Sequence, residues 1–390
     1  AILDRTGGLL ATSAPVSGTY LRLYPLPDAA PVVGYYSLNY GVAGVEAALD
    51  AVLRGPLEPI DQLLHRRPAG RTVRTTIDPD AQRDLAARLT QSGAAIILSL
   101  PDGAVLALES HPTYDPNTLD QDWPQLAVDP GAPLLNRVTQ GLYQPGAIFQ
   151  TILLADAIER GAAALTQTVD RPDQPVALDN LILDCARTGS MATLADAYAN
   201  ACPAPFADLG VRLGDTELIS LTQRWQLDQP PAMELRTSAI ATPTTSFSTT
   251  QALQAFAVGQ SSLTLSPLQV ALIAATIGNR GVRPAPHVIS DVQSIGGVWT
   301  PYTNMVVGGQ RLISPNTARS ILRAMRSVDD IAGHGGAAFS GDKQLSWFFG
   351  LMPADEPRYV IVVLIETPQG RAATEAEDIG RAALKALQSR

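Results

Sequence analysis

The sequence predicts an α+β protein whose antiparallel sheet is built from both ends of the chain and covered by helices. Residues 94–100 (AAIILSL) and 104–110 (AVLALES) are apolar runs joined by a PDG turn, which predicts a β-hairpin. A second pair, QLSWFFGLM (344–352) and RYVIVVLIE (358–366), lies near the C terminus and is linked by PADEP. Because the segment between the hairpins has a mostly helical pattern, these observations favour a layered α+β fold.

The first 70 residues differ from the rest of the chain in the length and spacing of their predicted elements. Short β-prone runs are broken by Gly and Pro, and one helix is predicted at about 44–54. We interpret residues 1–70 as a small β-rich N-terminal domain and residues 71–390 as the main domain. In the main domain, a helix at about 79–92 precedes the first hairpin, and TEAEDIGRAALKALQ is predicted to close the chain as a helix.

The segment YQPGAIFQTILLADAIERG predicts a buried helix with a well-marked start. Pro145 and Gly146 precede it and Gly161 follows it. Its apolar residues cover almost every face, which is typical of a helix inside a protein. Ala147 and Gln150 share one face of the first turn, where a nucleophile would gain from the helix dipole and from a lysine base one turn on.

Composition excludes several classes of function. Apolar residues make up 46% of the chain and charged residues 17%, as in an ordinary globular protein. The net charge of -9, without clustered Lys and Arg, argues against nucleic-acid binding. No apolar run approaches the roughly 18 residues that cross a bilayer. The sequence shows no spacing for a metal site and calls for no cofactor.

The two cysteines, Cys185 and Cys202, leave two interpretations open. A disulfide would close the loop between them in an oxidising compartment, and two buried free thiols account for the sequence equally well.

Four long segments of the chain resemble segments of one protein family, and they occur in the same order as in that family. They are TIDPDAQRDLAARLTQSGAAIILSLPDGAVLALESHPTYDPNTL, APLLNRVTQGLYQPGAIFQ, GQSSLTLSPLQVALIAATIGNRGVRPAPHVI and SWFFGLMPADEPRYVIVVLIETP. Together they resemble the transpeptidase domain of class B penicillin-binding proteins, which have the penicillin-binding/β-lactamase-like fold. ILDRTGGLLA and GYYSLNYGVAGVEAALDAVLRG resemble the membrane-proximal, dimerisation-like pedestal of the same family, especially of its actinobacterial-type members.

The family's catalytic motifs are degenerate here. The family carries Ser-x-x-Lys, Ser-x-Asn and Lys-Thr-Gly, which bring nucleophile, proton shuttle and oxyanion environment into one groove. The first motif aligns with Ala147 and Gln150, and the second with Ala201-Cys202-Pro203. An alanine methyl cannot attack a carbonyl, and a glutamine amide has no basic lone pair at neutral pH.

The third motif aligns with His334-Gly335-Gly336, so that only its glycine remains. Changes across all three motifs do not resemble a single engineered knockout. A buried lysine without its partners would be an unpaired charge, whereas glutamine can hydrogen-bond while neutral. The sequence therefore indicates a groove that relaxed towards stability after catalysis was lost.

Several other side chains are considered as groove residues or as nucleophiles. Cys202, Ala337 and Trp347 are candidate groove residues, although Cys202 is interpreted as a buried structural thiol. Trp347, with the neighbouring Phe348 and Phe349, is also interpreted as core because of strand alternation. Ser261 and Ser262 lie outside a GxSxG elbow and are not expected to be nucleophiles.

The histidines show no metal-binding spacing. His334, in what reads as a glycine-rich turn, is interpreted as a surface or ligand-contacting residue rather than a base. His65, His111 and His287 are interpreted as structural or exposed.

Three functional hypotheses follow. The first is a pseudoenzyme in peptidoglycan assembly, which the resemblance places on the extracytoplasmic face of the bacterial cytoplasmic membrane, tethered by a helix preceding this sequence. By the same resemblance, its partner would be a membrane glycan polymerase or another cell-wall synthesis protein. The second is a non-catalytic binding module for peptidoglycan stem peptides. The third is a residual D,D-peptidase or transpeptidase that uses Cys202 or a water.

Overall fold

The computed structural model describes residues 1–16, 19–55, 70–189, 191–240, 247, 249–302, 309–369 and 374–389. The strands are β1 (Ile2–Leu3), β2 (Leu9–Val16), β3 (Thr19–Leu23), β4 (Tyr36–Ser37), β5 (Gly41–Val42), β6 (Val73–Thr75), β7 (Gly93–Ser99), β8 (Val105–His111), β9 (Val176–Leu178), β10 (Leu181–Leu183), β11 (Val282–Arg283), β12 (Ile289–Gln293), β13 (Trp299–Pro301), β14 (Gln310–Arg311), β15 (Arg326–Val328), β16 (Ile331–Ser340), β17 (Lys343–Met352) and β18 (Tyr359–Pro368).

The helices are α1 (Ala30–Val33), α2 (Gly44–Ala48), α3 (Asp50–Arg54), α4 (Pro79–Arg88), α5 (Leu119–Leu126), α6 (Ile148–Glu159), α7 (Leu194–Ala199), α8 (Ala204–Arg224), α9 (Thr250–Ala257), α10 (Pro267–Gly278), α11 (Pro315–Ala324) and α12 (Glu375–Gln388).

The main sheet joins the two ends of the main domain. Its strand order is β15-β16-β17-β18-β7-β8, and every neighbouring pair is antiparallel. The central strands β7 and β18 are buried along nearly their whole length, which explains why they read as continuous apolar runs. The predicted α+β fold class and both predicted hairpins are confirmed.

Helices cover both faces of this sheet. Helices α4 and α12 pack on one face, where the ring of Phe348 lies. Helices α6 and α10 pack on the other, together with Trp347 and Phe349, and α11 packs against these two helices. Because successive side chains of a strand point to opposite faces, these three adjacent aromatic residues serve two different cores.

Two predicted helices differ in extent from the structure. The helix predicted at 79–92 ends at Arg88, because Leu89 leaves helical geometry (ψ 80°) and β7 begins four residues later. The helix predicted at 44–54 is divided into α2 and α3 at Leu49, whose φ is −116° and whose side chain is buried. The buried helix predicted around residue 150 is confirmed as α6, in which residues 148–157 are all buried.

The N-terminal domain shares its sheet with later segments of the chain. The strand order is β13-β12-β6-β1-β2-β3, so residues 73–75, 289–293 and 299–301 complete it. The predicted boundary at residue 70 therefore separates residues of one sheet. Hereafter the pedestal means residues 1–55 with these three strands.

Among the described residues, no helix combines the length and the apolar character that crossing a bilayer requires. Of the histidines interpreted as structural or exposed, His65 lies outside the described residues.

Candidate functional site

The start of α6 is held against β16 by close backbone contact. Gly146 has a φ of +51°, and a Cβ added there would lie 2.5 Å from the Ala337 carbonyl oxygen. Glycine is therefore required at this turn on both conformational and steric grounds. Gln144, two residues before this glycine, is anchored as well, because the Trp347 indole donates a 2.9 Å hydrogen bond to its carbonyl oxygen.

The structure brings together one residue from each of the three segments that align with the family's catalytic motifs. A Cβ built on Gly336 would lie 3.0 Å from the Cβ of Ala147 and 3.8 Å from the Cβ of Ala201. The third neighbour of that point is the Cβ of Ala186, at 3.6 Å. The floor of the vestigial groove is thus made of two methyl groups and a glycine, and the methyl group of Ala186 lies over it; none of these groups can act as a nucleophile.

The second motif position keeps an unusual backbone. Ala201 has a φ of +52°, in the left-handed region that disfavours residues with a Cβ by about 1–2 kcal/mol. Such strain clusters at functional sites of proteins. Here the strained turn remains although its side chain is a methyl group. Pro203, two residues on, is buried and precedes α8.

Gln150 lies beneath this floor and is 1% exposed. Its amide nitrogen donates to the Cys202 carbonyl oxygen at 3.3 Å. Its amide oxygen is buried and has no hydrogen-bond partner in the described part of the chain. The side chain therefore links the first motif to the second as a neutral group.

His334 belongs to strand β16 and is buried, so its interpretation as a surface or ligand-contacting residue in a turn is wrong. Its exposed fraction is 1%, and its ring stacks on Tyr198 at 4.2 Å. The Nε2 atom hydrogen-bonds to the Ala147 carbonyl oxygen at 3.0 Å, which makes Nε2 the protonated nitrogen of the neutral ring. Burial lowers the pKa of His334 to about 3, since that one hydrogen bond does not offset the loss of solvent.

The glycines around His334 explain why this strand resembles a turn in sequence. A Cβ on Gly335 would lie 2.2 Å from the Trp347 carbonyl oxygen, and one on Gly333 would lie 2.6 Å from the Phe348 ring. Glycine is needed here because neighbouring atoms pack closely against the strand.

A segment that the sequence analysis did not single out covers the groove. We call residues 184–188 the cover segment. It is held by a disulfide between Cys185 and Cys202 and by a backbone hydrogen bond from Arg187 to Asn200. Ala186, at its centre, is the residue whose methyl group lies over Gly336.

Arg187 ties the cover segment to the sheet and to α12. Its Nη1 lies 3.5 Å from the Gly335 carbonyl oxygen, and its Nη2 pairs with the Glu377 carboxylate. Glu377 also accepts a 2.8 Å hydrogen bond from Arg381. Burial by itself would raise the pKa of Glu377, but the two guanidinium groups hold it below its usual range.

The groove-facing edge of β16 is occupied along its length. Gly335 meets Arg187 there, and the Phe339 amide donates to the Gln260 side chain at 3.0 Å. By strand alternation Ala337 points the same way, and its carbonyl oxygen packs on Gly146. Ala337 thus lies on this edge of β16, and its role in a groove stays a prediction.

Two other groove candidates need correction. Trp347 is 1% exposed and faces the core layer of α6, because its strand position directs the ring inward. Cys202 is not a free thiol, since its sulfur is bonded to Cys185. Ser261 is used structurally, as its hydroxyl oxygen accepts a hydrogen bond from the Leu263 amide at 3.1 Å.

Ala186, Arg187 and Glu377 were missed by sequence reasoning. Arg187 and Glu377 are 190 residues apart, so no local pattern could have paired them. The only available signal was the pair of cysteines, which allowed a bridge without indicating what it would hold in place.

Comparisons with known proteins agree with this architecture. Residues 93–385 match the penicillin binding protein transpeptidase domain, and residues 1–67 match the penicillin binding protein A dimerisation domain. The chain is 32% identical to the peptidoglycan D,D-transpeptidase PbpA of Mycolicibacterium smegmatis, over 97% of this chain and 87% of that protein.

Solved structures give the same result. The crystal structure of PBPA from Mycobacterium tuberculosis superposes with a TM-score of 0.87 and 29% identity, covering 99% of this chain and 98% of that one. Its imipenem acyl-enzyme complex superposes with the same TM-score and identity, covering 99% and 97%. The chain belongs to the penicillin-binding protein family, with that family's transpeptidase domain and a dimerisation domain of the penicillin-binding protein A type.

Proposed function

We propose that this chain is a penicillin-binding protein without acyl-transfer activity, which acts in cell-wall assembly by binding a partner. The observation that carries the proposal is the convergence of Ala147, Ala201 and Gly336 at the point where the family's motifs meet. An acyl-enzyme needs an oxygen or sulfur nucleophile and a base within hydrogen-bond reach of it. None of these three side chains supplies either.

The neighbouring polar groups support the same conclusion. Gln150 is a neutral amide bonded to the Cys202 carbonyl. His334 is uncharged at neutral pH, and the low pKa of about 3 makes its remaining nitrogen a weak proton acceptor. A bound water would therefore find no competent general base in this layer.

The two alternatives have less support. A cysteine mechanism requires a thiolate, and the sulfur of Cys202 is engaged in the disulfide with Cys185. Binding of stem peptides as an added strand requires an accessible strand edge. In β16 that edge is taken by Arg187, Gly146 and Gln260, and Ala186 covers the floor.

The pedestal supplies a surface suited to a partner. The β2–β3 hairpin lies at the edge of its sheet, and Val16, Tyr20 and Leu21 are 46%, 66% and 53% exposed. Val16 and Leu21 lie on one face of the hairpin and Tyr20 on the other. Exposed apolar side chains at a sheet edge are typical of interaction sites. We assign this hairpin to contact with a membrane glycan polymerase on the extracytoplasmic face of the cytoplasmic membrane.

Co-purification with the polymerase encoded by the same bacterium tests this assignment. We expect Tyr20→Ala combined with Leu21→Ala to abolish co-purification from detergent-solubilised membranes, because the exposed apolar edge is lost. Ala147→Ser should leave it unchanged. Ile182→Ala is the matched control, since Ile182 is 64% exposed but lies in the distant strand β10. Equal recovery of the polymerase with the hairpin variant and with Ile182→Ala would contradict the assignment.

A further inference from the structure

A cleft of about 500 Å³ lies on the outer side of the cover segment. Its walls are formed by Cys185, Ala186, Arg187, Thr188, Asn200 and Arg326. The motif residues Ala147, Gln150 and His334 do not line it. Its size falls within the range of pockets that hold small molecules in proteins.

The charged groups of this cleft are positive. Among the residues that the structure describes, its lining contains two guanidinium groups and no carboxylate. Arg187 is anchored by Glu377, but Glu377 is shared with Arg381, so these three residues together carry one excess positive charge. Arg326, on strand β15, forms no salt bridge with any described residue. The described lining therefore carries two positive charges in a chain whose net charge is -9, and the carboxylate of Asp184 lies one residue outside that lining.

The geometry suits recognition of an oxyanion. Arg187 is held in one orientation by the disulfide, by its backbone bond to Asn200 and by Glu377. A guanidinium fixed in this way loses little conformational freedom when a ligand binds. Arg326 adds a second, exposed guanidinium, and Thr188 adds a hydroxyl. Guanidinium groups bind carboxylate and phosphate through paired, charge-assisted hydrogen bonds.

We propose that this cleft binds the oxyanion group of a small ligand, a carboxylate or a phosphate, between Arg187 and Arg326. The site goes beyond the proposed function, because it uses none of the vestigial motif residues and none of the pedestal. Binding here would add contacts to the cover segment and stabilise its position over the groove.

Calorimetric titration of the whole chain tests the proposal with three probes. They are N-acetyl-D-alanyl-D-alanine, its C-terminal amide, and inorganic phosphate. The dipeptide acid and its amide differ only in the carboxylate. We expect an anionic probe to bind, the amide to bind at least about tenfold more weakly than the acid if the acid binds, and the affinity to fall as salt is added.

Variants locate the binding. We expect Arg326→Gln to weaken binding of the anion about tenfold, as loss of one charge-assisted hydrogen bond implies. Arg326 is exposed, so this variant should fold normally. Arg323→Gln is the matched control, because Arg323 is also exposed, lies three residues away and does not line the cleft.

Each outcome decides the proposal. Binding of the acid alone identifies a carboxylate ligand, and binding of phosphate alone identifies a phosphate ligand. The proposal is overturned if neither anion binds at millimolar concentration, if the acid binds and the amide binds equally well, or if Arg326→Gln and Arg323→Gln affect binding equally. None of these results depends on whether the protein has a polymerase partner or forms an acyl-enzyme.

Discussion

Lysine at position 150 is expected to destabilise the protein by about 3–5 kcal/mol at pH 7, because it would place an unpaired charge in the interior. Gln150 is 1% exposed, and the contact described for it is a 3.3 Å hydrogen bond to the Cys202 carbonyl. Burial would lower the pKa of the new lysine below its ordinary value of about 10.4. The unfolded chain then binds more protons than the folded one, so the penalty should shrink as the pH rises.

Urea unfolding of Gln150→Lys at pH 7 and pH 9 measures this effect. Gln150→Met is the matched control, since it keeps an unbranched side chain without charge. The methionine removes one long hydrogen bond, and it also removes an amide oxygen that has no partner among the described residues. We therefore expect this control to change the free energy of unfolding by no more than about 1 kcal/mol. Equal stability of the lysine and methionine variants at pH 7 would show that position 150 still tolerates the family's lysine.

Removing the carboxylate of Glu366 is expected to lower the free energy of unfolding by about 3–5 kcal/mol, because Arg137 would stay buried without its carboxylate partner. The two side chains are 8% and 6% exposed and lie 3.3 Å apart. Tyr143 also donates to Glu366, at 3.3 Å. Tyr143 begins the turn that leads to Ala147, so this carboxylate supports the approach to α6.

Glu366→Ala and Lys343→Ala make a matched pair for urea unfolding. Lys343 contacts the same carboxylate at 2.7 Å, but its side chain is 55% exposed and its loss leaves the buried pair intact. Exposed ion pairs contribute about 0–1 kcal/mol. A loss of stability in Glu366→Ala no greater than in Lys343→Ala would rule out a structural role for the buried pair.

Under the proposed function, the groove keeps the backbone arrangement of a catalytic site without its reactive side chains. The tight turn at Gly146 and the left-handed turn at Ala201 both persist. The polar groups that remain point inward, with His334 on the Ala147 carbonyl and Gln150 on the Cys202 carbonyl. These contacts join the three motif segments to one another, which is a structural role.

The elements with strong local patterns could be predicted from sequence. Helix α6 and strands β7, β8, β17 and β18 are long and apolar, so that their hydrophobic pattern and the Gly and Pro residues near their ends identify them. The family resemblance predicts that positions 147, 201 and 336 belong to one groove; the structure shows these residues close together, and their assignment to the motifs stays a prediction.

Features that depend on tertiary packing could not be predicted. The glycines of β16 give the sequence pattern of a turn. In the structure they are needed because neighbouring atoms lie too close for a side chain, and not because the backbone must be flexible. The cover segment is positioned by Cys202, Gly335 and Glu377, which lie 17, 148 and 190 residues from their partners. Two cysteines in a sequence are compatible with a bridge or with free thiols, and only the fold decides between them.

Intact-protein mass spectrometry after long incubation with a reactive penicillin tests the central claim most directly. The PbpA relative from Mycolicibacterium smegmatis, treated in the same way, serves as the positive control. Loss of the nucleophile at position 147 predicts an unchanged mass for this chain when the control is acylated. A stoichiometric mass increase, mapped by peptide analysis to any side chain of the groove, would contradict the absence of acyl-transfer chemistry.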